Sequence, residues 1–265
     1  MDVAPNRKAL VTGGASGFGK EIAVRLRDAG AAVAVVDIDG EKARATAEQL
    51  GNGAIGIGAD VRSPEQMRAA VAETTDAFGG LDTLVASAGV FTMGRIEEVS
   101  EADWDLTIDV NMKGAFTALQ AAAPALRESG RRGRVVTIGS DSGRRGFPTQ
   151  SVYVASKFGL IGFTESIAAE LASDGVTVNC ICPVYCPTSG MGQQVLGVKA
   201  ELQHRSRESI VADSASRNPL GRNATEADVA DATMFFVSEH ASFLTGVTLD
   251  VDGGAKLGAV PGVDA

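Results

Sequence analysis

The chain has 265 residues, 45% of them hydrophobic and 22% charged, a globular composition with length enough for one large α/β domain. Its net charge of −9 argues against binding to nucleic-acid phosphates, against docking on anionic membranes and, more weakly, against an acidic protein partner. No apolar run reaches the roughly eighteen residues of a membrane span, and the start MDVAPNRKALVTGG lacks the regions of a signal peptide, so the expected location is cytoplasmic.

In chain order, residues 8–11 form a short apolar run, followed at once by TGGASGFG. An amphipathic pattern (Ile22, Ala23, Leu26, Ala29) stops at Gly30, and residues 32–36 are a β-branched run ending in Asp37. Strand, glycine turn, helix and second strand make the first half of a nucleotide-binding unit. Gly13, Gly17 and Gly19 fit G-x-x-x-G-x-G. Glycines there admit positive φ and let a pyrophosphate approach the backbone, and the helix start offers free N–H groups to the anion. A merely structural turn is the alternative. Asp37 lies about twenty residues past the loop, where a carboxylate bonds the adenosine ribose and repels a 2′-phosphate. With Ser16 in the loop and no basic residue there, this favours NAD over NADP. A solvated strand end is the plainer reading of Asp37.

The alternation continues. A helix over 41–50 leads to a strand over 54–59, ending at Asp60 and Val61. Ser63-Pro64 opens a helix to Phe78, and a strand over 81–86 runs into the small-residue turn Ser87-Ala88-Gly89. A long helix around 104–127 carries Asn111; a helix-interior asparagine usually faces solvent, and its neighbours Ile108, Val110 and Met112 leave a buried, bonded role as the alternative. The strand over 134–138 ends at Gly139-Ser140. The helix over 152–171 holds Tyr153 and Lys157, four residues apart and so on one face. A cation beside a phenol favours the phenolate, so the tyrosine's pKa is expected to fall. An incidental surface pair is the alternative.

A strand over 176–181 follows, then residues 184–217 without clean periodicity, loosened by Gly190, Gly192 and Gly197 and read as a substrate lid. A helix over 226–237 and a strand over 248–251 precede Asp252-Gly253-Gly254. Residues 1–254 read as one domain and 255–265 as a tail. Cys180, Cys182 and Cys186 have no usual zinc spacing and no histidine nearby; they are expected to be reduced and buried, with no metal. The whole pattern predicts an α/β fold, a doubly wound parallel sheet of about seven strands with helices on both faces and ligands beyond the strands' carboxyl ends.

Thr12–Gly19, Asp60-Val61, Ser87-Ala88-Gly89, Asn111, Ser140, Tyr153-x-x-x-Lys157, Asn179 with Pro183, and the closing VDGG together resemble the short-chain dehydrogenase/reductases of the classical type. The likeness runs from about Lys8 to Gly254. It implies that Tyr153 is the general acid/base and that Lys157 lowers its pKa and bonds the nicotinamide ribose. Ser140 would bond the substrate oxygen, and Asn111 would hold a relay water. It further implies that NAD lies against Gly13, Ser16, Gly17, Phe18, Gly19, Asp37 and Ile38. Asp60, Val61, Ser87, Ala88, Gly89, Asn111, Tyr153, Lys157, Pro183, Cys186 and Thr188 would complete that site. Substrate would meet Ser140, Ser142, Gln150, Tyr153 and Tyr185, with Asp141, Arg144, Arg145 and Phe147 near.

Two departures stand out. The usual Asn-Asn-Ala-Gly turn is Ala86-Ser87-Ala88-Gly89, and the usual Pro-Gly is Pro183-Val184, which is expected to narrow the pocket or to shift the lid. The expected activity is hydride transfer between NAD and a secondary alcohol or ketone, the substrate a small polar hydroxy compound. The alternatives are an NADPH-dependent reductase of carbonyls or 3-oxoacyl thioesters and, remotely, a non-catalytic dinucleotide sensor. The resemblance also implies a homotetramer or homodimer.

Overall fold

The computed structural model describes residues 6–257. Residues 1–5 and 258–265, including most of the expected tail, lie outside the described residues. Seven strands form one sheet: β1 (Lys8–Thr12), β2 (Ala32–Asp37), β3 (Ile55–Gly58), β4 (Thr83–Ala86), β5 (Arg134–Ile138), β6 (Thr177–Pro183) and β7 (Thr248–Val251). Their order is β3-β2-β1-β4-β5-β6-β7, and every pair is parallel. The sequence reverses direction between β1 and β4, which opens a crevice at their carboxyl ends.

The strands are short and almost wholly apolar because both faces are covered. In β1, Val11 faces one layer, with Ile22 and Leu26 of α1 (Gly17–Asp28) and Phe236 of α9 (Glu226–Val237). Its neighbour Leu10 faces the other, with Met67 of α3 (Pro64–Phe78), Leu126 of α5 (Gly114–Glu128) and Leu171 of α6 (Ser151–Leu171). Each fully buried side chain of this kind stabilises the fold by about 1.5–3 kcal/mol.

Local chemistry sets the helix ends. The α3 start is capped by Ser63, which accepts from the Gln66 N–H, with Pro64 in the first turn; Gly79, at φ +68°, ends it. Thr225 and Asp228 form a reciprocal capping box on α9. Asp39 caps α2 (Gly40–Leu50).

The helix expected around 104–127 is interrupted. It consists of α4 (Glu101–Ile108), a π-helical turn over Asp109–Lys113, and α5. The wide turn carries Asn111, and such turns are common at functional sites. Residues 184–217, which show no clean periodicity in sequence, contain α7 (Gly190–Gln203) and α8 (Arg207–Ser216), each capped by a serine, Ser189 and Ser206. They bury few side chains, chiefly Val195, Leu196 and Ile210, so no apolar stripe marks them. Of the expected tail, Ala255–Leu257 form one 3-10 turn.

Candidate active site

The glycine loop joins β1 to α1 at the crevice. Gly13 has φ +63°, and a Cβ there would stand 2.8 Å from the Ala88 Cα. Thr12 Oγ1 accepts from the Ser87 and Ala88 N–H groups at 3.2 and 3.3 Å, tying the tips of β1 and β4 together. Gly17 has φ +51°, and a Cβ on Gly19 would run into the Gly13 carbonyl. Ser16 caps α1 without a side-chain bond, and the first turn of the helix has no acidic residue. The N–H groups and positive end of α1 therefore remain for an external anion.

Asp37 is fixed at the tip of β2 by two N–H donors, Ala15 at 3.2 Å and Asp39 at 3.1 Å. Ile38, beside it, is 70% exposed. Asp60, in contrast, is engaged: Arg62 donates to both its oxygens, at 3.0 Å to Oδ1 and 2.6 Å to Oδ2, and holds its carboxyl below the usual range. Val61 is buried, and its carbonyl accepts from Thr117. A close-packed glycine cradle, an open helix N-terminus and a carboxylate some twenty residues on fit a nicotinamide dinucleotide.

The residues expected to handle the proton lie at the tip of β5 and on α6. Tyr153 and Lys157 share one buried face of α6. Lys157 Nζ donates to the Ile138 carbonyl at 2.8 Å and lies 5.7 Å from the centroid of the Tyr153 ring. Phe91 meets that ring edge-on at 4.8 Å. Burial pushes the Tyr153 phenol well up; the Ser140 hydroxyl pulls it down and the Asp141 carboxylate pushes it further up. This reverses the fall expected from the Tyr-Lys spacing. Spacing shows a cation nearby but not that both groups are removed from water, and desolvation of a phenolate outweighs a cation directed at a backbone carbonyl. For the same reason burial lowers the Lys157 ammonium to about 8.

Ser140 ends β5 in extended backbone. Its Oγ accepts from the Ser142 N–H and donates to Asp141 Oδ1, both at 3.1 Å. Ser142 Oγ donates to Gln150 Oε1 at 3.1 Å, so two expected substrate residues hold one another. Asn111 is buried, the less usual of the two placements open to a helix-interior asparagine. Its Oδ1 accepts from the Val90 N–H at 2.8 Å, and its Nδ2 donates to the Val90 carbonyl and to Ser156 Oγ, both at 3.0 Å. These bonds tie the π-turn to the segment after Gly89 and to α6.

A cavity of about 1020 Å³ opens over Ser140 and Tyr153, with Lys157 and Asn111 outside its lining. Of the expected residues it brings together Phe18, Ser140, Ser142, Gln150, Tyr153, Pro183, Tyr185 and Cys186. Thr188 is turned away: its Oγ1 donates to Glu226 Oε2 at 2.7 Å, and the Cys186 thiol bonds the same pair. Arg145 lines the cavity, whereas Arg144 pairs with Asp250 at 3.1 Å. Val184 adopts no positive φ; its N–H donates to the Val251 carbonyl and its side chain lines the cavity. The replacement of glycine thus narrows the pocket without straining the backbone.

Sequence reasoning missed Phe91, Met191, Lys199 and Arg217, which also line the cavity. Met191 Sδ is the partner of the Tyr153 hydroxyl, at 4.0 Å. Only recognition of α7 as a helix would have found it, because Met191 and Lys199 lie two turns apart on one element. All three cysteines are buried free thiols, and no cluster suited to a metal occurs among the described residues.

A family model described as enoyl-(acyl carrier protein) reductase matches residues 13–256. The subunit BbsD of (2S)-((R)-hydroxy(phenyl)methyl)succinyl-CoA dehydrogenase from Thauera aromatica is 38% identical over 95% of this chain and 97% of its own. The chain belongs to the short-chain dehydrogenase/reductase family. 2-(S)-hydroxypropyl-CoM dehydrogenase 3 of Xanthobacter autotrophicus is 35% identical over 94% of this chain and 96% of its own. Sorbitol-6-phosphate 2-dehydrogenase of Erwinia amylovora shares the fold at a TM-score of 0.89 and 32% identity, over 93% of this chain and 98% of the other. As a short-chain dehydrogenase/reductase, the protein is an oxidoreductase of hydroxyl and ketone groups with a nicotinamide dinucleotide as hydride partner.

Proposed function

We propose that the protein interconverts a secondary alcohol and its ketone with NAD, its substrate a small polar hydroxy compound. The observation that carries this reading is that Ser140 and Tyr153 line one cavity, with Lys157 buried beside Tyr153 on α6 and the glycine cradle and Asp37 at the same edge of the sheet.

When bound, the nicotinamide accepts or gives the hydride. Tyr153 takes the hydroxyl proton in oxidation and returns it in reduction. Ser140 donates to the oxygen where charge develops, its position set by the Ser142 N–H. Lys157 steadies the phenolate and bonds the ribose. Asn111 shapes the backbone around Gly89 and carries the relay water. Phe91, packed on the Tyr153 ring, keeps bulk water from the proton. Ser142, Gln150 and Tyr185 receive the polar groups of the substrate, and the 184–217 segment acts as its lid.

Asp37 supports NAD. Its two fixing donors leave lone pairs for vicinal ribose hydroxyls, and its charge opposes a 2′-phosphate. A competing reading, an NADPH-dependent 3-oxoacyl thioester reductase, is favoured by 34% identity to the 3-oxoacyl-(acyl-carrier-protein) reductase of Staphylococcus aureus over 94% of this chain and 97% of that one. Steady-state rates with each dinucleotide separate the two. The expected result is a preference of about a hundredfold for NAD, most of it lost in Asp37→Ser; a preference for NADPH in the wild type overturns the assignment.

The assembly proposed is a homotetramer, or a homodimer, in the cytoplasm. Supporting it, Trp104, Leu106, Phe116 and Phe158 lie exposed on α4, α5 and α6, and no described helix is long and apolar enough to cross a membrane. Light scattering on the purified chain checks the oligomer.

A further inference from the structure

The substrate cavity has a charge opposite to that of the chain. Three cations line it, Arg145, Lys199 and Arg217, against one carboxylate, Asp141, in a protein of net charge −9. Pairing removes part of this excess. Asp141 and Arg145 lie 3.8 Å apart, and the Arg145 guanidinium rests over the Phe147 ring at 4.9 Å. Arg217 pairs with Asp213 at 2.8 Å, but that carboxylate also serves Arg205 at 3.3 Å. Two guanidinium groups share one counter-charge.

Lys199 differs from both. Its Nζ makes no hydrogen bond or ion pair among the described residues and lies 4.8 Å from the centroid of the Tyr185 ring, whose hydroxyl donates to the Gly192 carbonyl. Its half-buried position lowers its pKa, with Asp141 too weak to offset the desolvation. An ordinary surface lysine on α7 would extend into water or find one of the many carboxylates of so acidic a chain. This one is held against an aromatic ring on a cavity wall.

We propose that the wall formed by α7 and α8 is a subsite for an anionic group of the substrate, a carboxylate, sulfonate or phosphate, bound by Lys199 with Arg217 behind it. The proposal rests on the hydride-transfer reading of the site and specifies its substrate class. It also sets a length. Met191 touches the Tyr153 hydroxyl, and Lys199 stands two turns further along α7, about 12 Å by helical rise. Helical side chains lean back toward the N-terminus, so the ammonium recovers part of that distance. An alcohol seated against Tyr153 is therefore expected to carry its anion several bonds from the reacting carbon.

The test uses methyl ketones of graded length ending in a carboxylate, sulfonate or phosphonate, each against its uncharged amide or ester counterpart, with NADH and the full chain. Wild type should reduce a charged ketone with a kcat/KM at least roughly tenfold above its neutral partner. Lys199→Met should erase that margin through KM, with kcat within about twofold and the neutral ketone unaffected, and Lys199→Arg should retain most of it. Calorimetric titration of the same ketones into wild type and Lys199→Met, with NAD present, reads binding without turnover. If neutral and charged ketones are reduced alike, or if the variant impairs both equally, the subsite is overturned and hydride transfer stands. If nothing is reduced but a charged ketone binds wild type at least about tenfold tighter than the variant, the subsite stands and the reaction assigned to it fails. Neither turnover nor a binding difference overturns both. The terminal group that binds most tightly identifies the anion.

Discussion

Around the glycine loop backbone packs on backbone; along α7 close packing alternates with open positions. A Cβ on Gly13 would stand 2.8 Å from the Ala88 Cα, and one on Gly14 would stand 2.9 Å from the Val11 carbonyl. In α7, a Cβ on Gly192 would run into the Cys186 carbonyl, but one on Gly190 would meet nothing within 4 Å, and one on Gly197 only the tip of Arg207. In the first region spacing is set by main-chain atoms that cannot retreat, as a ligand of fixed shape requires. In the second, positions such as Gly190 and Gly197 leave room for change, and under the proposed function they flank the substrate. The proton-handling pair lies between the two, buried by both.

The sharpest way to break the comparison is at that junction. Tyr153→Phe removes the acid/base while keeping the ring packed on Phe91, and kcat should fall by about 10²–10⁴-fold with NAD affinity kept, read by NADH absorbance and a binding titration. Activity near the wild-type level would refute the role given to the phenol.

Gly13→Ala should be the next largest effect. It forces a side chain into positive φ and against Ala88, and should cost about 1–3 kcal/mol in denaturant unfolding and weaken NAD binding at least about tenfold. A silent substitution would mean that the backbone at this end yields.

Lys157→Met should abolish turnover yet raise stability. The folded-state pKa is lowered to about 8 from an ordinary value of 10.5. The unfolded chain therefore binds more protons between these values, and stability rises with pH across that window. The burial penalty is full below about pH 8, where the variant should melt several degrees above wild type, and the gap should close above about pH 10.5. Equal melting temperatures at pH 7 would contradict the burial assigned to Lys157.

Gly190→Ala, in the permissive region, should change stability by less than about 0.5 kcal/mol. A large loss there would erase the contrast between the two ends.

What was legible in the sequence follows the same division. Because the strands of a doubly covered sheet are buried on both faces, residues 32–36 and 135–138 read as largely apolar runs, and their tips mark the ligand edge. Gly13, Asp37, Ser140, Tyr153 and Lys157 stand out in the sequence because each follows a strand or a helix start at fixed spacing, and the structure places them at one edge of the sheet. The π-turn at Asn111 was not legible, since one widened turn scarcely disturbs a helical pattern. Nor were α7 and α8, whose few buried residues leave no stripe, and Met191, Lys199 and Arg217 went unseen with them.

The chain's sequence by itself determined the alternation of strands and helices, the glycine cradle, the Tyr-Lys pair and the acid at the second strand's end. These depend on residue type and local spacing, which covalent order preserves. Tertiary structure alone decided that Tyr153 and Lys157 lose their water, that Arg144 turns to Asp250 while Arg145 faces the cavity, and that Lys199 meets Tyr185 without a counter-ion. Desolvation and charge pairing are set by which elements pack together, and no spacing along the chain encodes them.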